Sequence, residues 1–303
     1  MLTVVALGGN ALLGPGERGT AAEQRRNLAA TVPALEPLVA AGPVVVTHGN
    51  GPQVGNELLR HELGSAEAPP LPLWIAVAQT QAEIGALIEA ELRRAFERPV
   101  AVVLTHVVVD EDDPAFADPT KPIGPFYDEA RARALEHDRG WSVVADSGRG
   151  WRRLVASPQP LEIVELDVVR TLVAAGTLVV AAGGGGIPVA RRDGAYEGVD
   201  AVIDKDRASA LLAARLGAGR LVVLTQVASV YRGFGTGSEE PVDELRPGRD
   251  DEILAELPAG SMRPKVEAAF AFVRETGREA LITSAQALGN GEAGTKVVPA
   301  SAP

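Results

Sequence analysis

The chain contains no cysteine and only four histidines among its 303 residues. The lack of thiols excludes a disulfide scaffold, a thiolate nucleophile and a cysteine-ligated metal centre, and it fits a cytoplasmic protein. Basic residues are scarce beside acids: 29 Lys and Arg against 40 Asp and Glu give a formal net charge of −11. That balance argues against nucleic-acid or acidic-membrane partners, because neutralising many phosphates needs a basic face. Any phosphate-bearing ligand must then be held by local positive charge, so individual lysines carry more meaning than the total. Long apolar runs are missing as well. Stretches such as 178–182 and 221–224 fall far short of the roughly 20 residues that span a bilayer, so no membrane crossing is expected. The opening residues read as a strand rather than as a basic segment, an apolar stretch and a cleavage site, and secretion is not expected.

What is present is the balance of a globular protein, 46% hydrophobic and 23% charged. The length suits one large core or two closely joined lobes. Short β-branched runs alternate with segments rich in Ala, Leu, Glu and Arg, the pattern of a largely parallel sheet covered by helices on both faces. The pattern predicts strands over 2–7, 43–47, 100–105, 177–182, 220–225 and 279–283, with helices over 21–41, 53–62, 74–96, 161–175, 207–216 and 264–276. Pro264 suits a first helical turn, where its missing N–H costs nothing. Two stretches interrupt the alternation. Residues 110–160 carry an acidic start, several prolines and an apparent hairpin over 141–155, and read as an inserted subdomain or lid. Residues 232–250 read as a loop over the sheet edge, and order is expected to end after Val298.

Glycine is concentrated where it should weaken a core. Gly183, Gly184, Gly185 and Gly186 follow an apolar strand directly, and four consecutive glycines lose more backbone entropy on folding than any other choice. A compensating use is an anion cradle, in which backbone N–H groups approach phosphate unhindered by Cβ atoms. The same grammar recurs after the first two predicted strands, at Gly8, Gly9 and Asn10 and at Gly49, Asn50 and Gly51. Three such transitions suggest one polyanion site assembled from several loops. It is not the usual P-loop, since Gly-x-x-x-x-Gly-Lys-Ser/Thr is absent, and there is no dinucleotide fingerprint. Three lysines in distinctive surroundings supply candidate cations: Lys121 between prolines, Lys205 between Asp204 and Asp206, and Lys265 after Arg263 and Pro264. Positioning and charge neutralisation are what phosphoryl transfer demands.

Other polar residues receive plainer readings. His48 has no nearby carboxylate partner and reads as a local hydrogen-bonding group. Asp110, Asp112 and Asp113 lack EF-hand spacing and read as the solvated root of the insertion. Arg152 and Arg153 either bind an anion or tie down the subdomain, and the second reading is preferred. Ile75, Ala78, Ala82, Gly85 and Ile88 recur at helical spacing, which fits a dimer face or core packing equally well.

At this point the chain resembles the carbamate kinases of the amino-acid kinase superfamily. The resemblance rests on ALGGNALL at 6–13, THGNGPQVGNELL at 47–59, VVVDEDDPAFADPTKPIGPFY at 107–127, WRRLVASPQP at 151–160, AAGGGGIPV at 181–189, VIDKDRASALLA at 202–213 and GSMRPKVEAA at 260–269. It implies a three-layer α/β/α sandwich with a mainly parallel sheet of about eight strands, a small protruding subdomain and assembly as a homodimer. It also implies reversible, Mg2+-dependent transfer of phosphate between ATP and carbamate, giving ADP and carbamoyl phosphate, in the service of arginine breakdown. On this reading residues 1–200 form an acceptor lobe with its lid over about 110–160, and residues 201–303 a nucleotide lobe. Gly8, Gly9, Asn10, Gly49, Asn50 and Gly51 would surround the transferred group and the carbamate. Lys121 would close over the carbamoyl end, Lys205 and Lys265 would neutralise charge, and Asp206 would orient the lysines. Gly183, Gly184, Gly185, Gly186, Asp204 and Tyr231 would flank the nucleotide with Lys205 and Lys265. No protein ligand to a metal is expected.

Several departures accompany the match. Ala6 stands where most of the superfamily has lysine, and Lys205 is the candidate replacement. Arg263 replaces a usual glycine, which predicts either an added phosphate ligand or an obstruction. Gly233 and Asp243 alter the nucleotide-side loop at 230–245, and Trp74 replaces a usual aspartate in what reads as a packing change. The alternatives are a small-acid kinase with another acceptor and a catalytically silent nucleotide sensor.

Overall fold

Residues along the central strands alternate between two buried faces. Val4, Val45, Val179, Leu221, Val223 and Ile282 join one core cluster, while Val5, Leu7, Val46, Val180, Val222 and Leu281 join another. A strand buried on both sides reads as a continuous apolar run, which is why the sequence pattern predicts a sheet sandwiched between helices. The computed structural model describes residues 1–14, 16–145, 150–258, 260–291 and 293–300, apart from the side chains of Asn10 and Pro125. Its principal sheet has eight strands in the order Glu244–Leu245, Thr295–Val297, Ala280–Ser284, Arg220–Thr225, Thr3–Leu7, Val44–His48, Leu178–Val180 and Val100–Val102. All neighbours run parallel except Thr295–Val297 against Ala280–Ser284. Helices Lys205–Leu216 and Met262–Thr276 cover one face, through Leu212, Phe270 and Phe272; helices Ala21–Thr31 and Leu73–Ala95 cover the other, through Leu28, Ile84, Ile88 and Leu92. The result is a three-layer α/β/α sandwich. Each fully buried Leu, Ile or Phe contributes about 1.5–3 kcal/mol relative to exposure.

Thr3–Leu7 pairs with Arg220–Thr225 on one side and Val44–His48 on the other, so the first and second halves of the chain share one continuous sheet. A second, four-stranded sheet contains Ala195–Gly198, Ile187–Arg192, His106–Val108 and Glu162–Ile163. A third sets Trp151–Val155 between Lys121–Tyr127 and Ser142–Ala145, with helix Glu129–Arg139 beside it. The expected hairpin at 141–155 is the Ser142–Ala145 and Trp151–Val155 pair; residues 146–149 lie outside the described residues. Arg153 stacks over Trp141 at 4.5 Å and Arg152 over Phe126 at 5.4 Å, so both arginines serve this subdomain. Asp113 caps a short turn through the N–H of Ala115 and accepts from the N–H of Gln159, in keeping with a structural role at the insertion's root.

Several boundaries differ from expectation for local reasons. The helix expected over 21–41 divides into Ala21–Thr31, a 3-10 segment Val32–Leu35 and Glu36–Ala41, because Pro33 and Pro37 cannot donate to the helical ladder. The first piece opens with a capping box between Thr20 and Glu23. The helix expected from 161 starts at Leu166, since Glu162–Ile163 pairs with His106–Val108. The loop expected over 232–250 instead contributes Glu240–Val242, which pairs with Val230–Arg232, and Glu244–Leu245, the outermost strand of the main sheet. At the end of the chain the Val298 N–H donates to the Leu245 carbonyl and Arg246 reaches the Pro299 carbonyl, while the rest of the tail expected to lack order, residues 301–303, lies outside the described residues. Trp74 packs over Gly198, where a Cβ would come within 2.2 Å of the indole. Gly85 and Ile88 are buried in the core whereas Ala82 is exposed, so the helical stripe through them is not one exposed face.

Candidate active site

Two cavities open where the strands of the main sheet reach their C-terminal ends, the usual place for a ligand in an open α/β sheet. The larger, about 440 Å³, is lined by Gly8, Gly9, Tyr231, Phe234, Leu257 and Met262 among others. The smaller, about 190 Å³, is bounded by Gly49, Asn50, Gly51, Lys121, Asp204 and Lys205. Gly9, Gly260, Ser261 and Lys265 line both, so the cavities meet there.

The N-terminal ends of three helices converge on the smaller cavity: Gly51–Gly64, Lys205–Leu216 and Met262–Thr276. Each presents the positive end of its dipole, so the cavity suits an anion before any side chain is counted. Side chains reinforce it. Lys205 donates to one oxygen of Asp206 at 2.5 Å and Lys265 to the other at 3.2 Å, so one buried carboxylate holds two ammonium groups. Lys265 also donates to the Ser261 carbonyl at 3.2 Å. Burial lowers the pKa of Lys205, Asp206 opposes that shift, and Lys265 adds to it.

Asp204 has two employments. One oxygen accepts from the N–H groups of Asp206 and Arg207 as the N-cap of helix Lys205–Leu216, and the other accepts from Lys121 at 2.6 Å. Burial works against its charge, yet Lys121, Lys205 and the capping N–H hold its carboxyl well below the usual carboxylate range. Thr47 and Ser209 tie the second glycine loop to the same helix. Ser209 donates to the Lys205 carbonyl at 2.6 Å, which leaves Thr47 as donor in their 2.5 Å contact.

The structure redistributes the glycine run. Gly183, Gly184, Gly185 and Gly186 are buried, and a Cβ on each would meet His48, Asn50, Ile203 or Val107 respectively within 2.4 Å. Expected beside the nucleotide, the four differ in place: of them Gly184 alone lines either of the two cavities, the smaller one, with Asn50 and Lys121. Close packing explains the other three. Asp204 likewise faces the smaller cavity, while Tyr231 lines the larger and Lys265 lines both. Gly8 and Gly9 line the larger cavity, and a Cβ on Gly8 would meet the Leu224 carbonyl oxygen at 2.5 Å. Asn10 follows in the turn Gly9–Ala11, and its side chain lies outside the described residues. Ala6 is fully buried in its strand, and Lys205 passes over Gly49, whose added Cβ would sit 3.1 Å from the lysine Cδ. Arg263 lines neither cavity; its guanidinium faces the Ala255 carbonyl oxygen at 3.5 Å. No group of three or more His, Cys, Asp or Glu placed to hold a metal occurs among the described residues.

Comparison with known proteins agrees with this geometry. The amino acid kinase family profile matches residues 1–284. The carbamate kinase of Halobacterium salinarum is 48% identical over 305 residues, covering 98% of both chains. The chain belongs to the carbamate kinases of the amino acid kinase family. The carbamate kinase of Pyrococcus horikoshii is 42% identical over 310 residues, again covering 98% of each chain. The solved carbamate kinase from Giardia lamblia bound to AMP-PNP superimposes with a TM-score of 0.88 at 38% identity, covering 99% of this chain and 98% of that one. The N-acetylglutamate synthase of Neisseria gonorrhoeae, 16% identical with a TM-score of 0.59, shares the fold alone.

Some residues that build the site carry no signal in an expected motif. Gln81, buried in helix Leu73–Ala95, accepts from the Thr105 N–H at 2.6 Å and donates to the Gly183 carbonyl at 2.9 Å, which fixes the glycine turn. Thr80 accepts from the Asn50 amide at 3.0 Å. Ser261 lay inside the GSMRPK block without being singled out, and its place at the junction follows from the fold.

Proposed function

We propose that the chain transfers phosphate reversibly between ATP and carbamate, with the nucleotide in the larger cavity and the acceptor in the smaller. One observation carries this reading: the two cavities share Gly9, Gly260, Ser261 and Lys265, which is where a phosphoryl group must pass from one substrate to the other. Carbamate has four heavy atoms, so apolar burial gives little affinity and recognition falls to backbone donors and charge. The smaller cavity offers both. Residues 1–200 would supply half of the acceptor side, through Gly9, the glycine loop at 49–51, Lys121 and Gly184; residues 201–303 would supply the other half and most of the nucleotide side.

In the direction of carbamoyl phosphate synthesis, a carbamate carboxylate oxygen attacks the γ-phosphorus. The bond from that phosphorus to the bridging oxygen breaks, and its electron pair remains on the β-phosphate of ADP. No general base is needed, because the attacking oxygen is already ionised and alignment dominates. Lys205 and Lys265 neutralise charge that builds on the equatorial and bridging oxygens. Asp206 keeps both ammonium groups aimed and offsets the burial that would discharge Lys205. Lys121, held by Asp204, faces the carbamoyl end. The carboxylates of Asp204 and Asp206 are occupied by lysines and backbone donors, so Mg2+ would be carried mainly by the nucleotide and water, and it would supply further neutralisation of phosphate charge.

The silent-sensor alternative has two grounds, Arg263 and the altered loop at 230–245; the Arg263 side chain lies outside both linings, which removes support from the first. Assembly as a homodimer, a cytoplasmic location and service in arginine breakdown complete the proposal on the strength of the family. No helix among the described residues is long and apolar enough to cross a membrane. Turnover of carbamate, acetate and N-acetylglutamate with ATP tests the acceptor. Carbamate should lead by about 100-fold or more in kcat/KM, because the site's buried polar groups are left unpaired by the wrong acceptor. Comparable use of N-acetylglutamate would contradict the assignment.

A further inference from the structure

The strand that carries Lys121 is anchored at its base. Ile123 is fully buried among Val54, Leu73, Val155 and Val189, so this part of the insertion is a packed wall of the cavity. One residue further on, Gly124 has φ +86 and lies against Gly55 of helix Gly51–Gly64. The fit is tight: a Cβ added to Gly55 would sit 1.9 Å from the Gly124 Cα and 2.2 Å from its nitrogen. Ordinary carbon contacts begin near 3.5 Å, so the helix and strand would have to part by about 1.5 Å to admit one methyl group. Both partners continue directly into the smaller cavity. Gln53, half a turn before Gly55, and Lys121, three residues before Gly124, each line it.

We propose that the backbone contact between Gly55 and Gly124 sets the width of the acceptor cavity on the Lys121 side and thereby excludes acyl groups larger than carbamoyl. This deepens the carbamate kinase reading and rests on it. Glycine at 55 lets the strand approach until the helix backbone stops it, and Ile123 holds it there. The residues at this contact touch no substrate; they act by fixing the distance between Lys121 and the glycine loop at 49–51. A misplacement of about 1 Å in such a site costs on the order of 100-fold in rate. A wider cavity also loses its power to reject an extra methylene, which is normally worth 10-fold to 200-fold in discrimination.

The test compares ATP formation from ADP with carbamoyl phosphate and with propionyl phosphate, in wild type, Gly55→Ala and Ile123→Val. In Gly55→Ala the KM for carbamoyl phosphate should rise about tenfold or more while the KM for ADP stays within about twofold. The kcat/KM ratio of propionyl phosphate to carbamoyl phosphate should rise about tenfold. Ile123→Val loosens the anchor without inserting an atom, so it should retain the fold and shift the same ratio a few-fold. A structural role alone would lower stability and slow both acyl phosphates equally. Folded variants with an unchanged ratio overturn the proposal, and if Gly55→Ala does not fold, an unchanged ratio in Ile123→Val overturns it. A wild type inactive with carbamoyl phosphate sinks the function on which it rests, and this inference with it.

Discussion

His48 contacts the Gly49 carbonyl through Nδ1 at 3.0 Å, and since a carbonyl only accepts, Nδ1 carries the proton. Its Nε2 is buried without a partner among the described residues and faces Gly183, whose missing Cβ makes room for the ring. Burial lowers the pKa from 6.5 to about 4; the Gly49 contact opposes this shift and Lys205 adds to it. The sign follows. Because the folded pKa lies below the unfolded one, stability from keeping His48 neutral is complete above pH 6.5 and is lost as pH falls toward 4, by about 3 kcal/mol at the limit. Asp204 adds a separate loss at lower pH, since its depressed carboxyl titrates below its ordinary 3.8. His48→Gln should therefore flatten the fall in Tm between pH 6.5 and 4.5, as followed by thermal melting. Parallel curves for variant and wild type would show that another group carries the acid sensitivity. The local hydrogen bond of His48 was legible in the sequence, but its unpartnered nitrogen was not, because Gly183 reaches it only through the fold.

At the scale of elements, the glycine run shows how composition and geometry diverge. A strand followed by four glycines marks a site, but it does not say which glycines face a ligand. Gly185 has φ +90, and a Cβ there would meet the Ile203 carbonyl oxygen at 2.3 Å. Backbone cannot swing aside as a flexible side chain can, so Gly185→Ala is expected to cost roughly 3 kcal/mol and lower Tm by roughly 5 °C or more. An unchanged Tm would mean the packing role assigned to this glycine is wrong. The central strands were legible because both faces are apolar, as at residues 221–224. The broken helix after Thr31 was less so, since its alanines and leucines outweigh two prolines in a periodic reading. The edge strand Glu244–Leu245 was hidden, because two residues, one exposed and one buried, paired with Thr295–Val297 carry almost no pattern of their own.

For the whole molecule, the first and last thirds of the chain must meet before a site exists. Gly9 and Ser261 are far apart in sequence, yet both line the junction of the two cavities because Thr3–Leu7 and Arg220–Thr225 are neighbours in one sheet. The motifs located the contributing segments, including all three lysines. The resemblance already implied that Asp206 orients the lysines, but nothing in the motifs revealed that Asp204 holds Lys121, since that pairing depends on where the insertion folds back. The central claim is that this junction transfers a phosphoryl group, with Lys205 stabilising its charge. ATP formation from ADP and carbamoyl phosphate, with Mg2+ present, tests it in a coupled assay of wild type beside Lys205→Ala. Rapid turnover by wild type and a kcat lower by about 100-fold to 1,000-fold in a folded variant is the predicted result. An inactive wild type, or a folded Lys205→Ala enzyme with a normal rate, would contradict it.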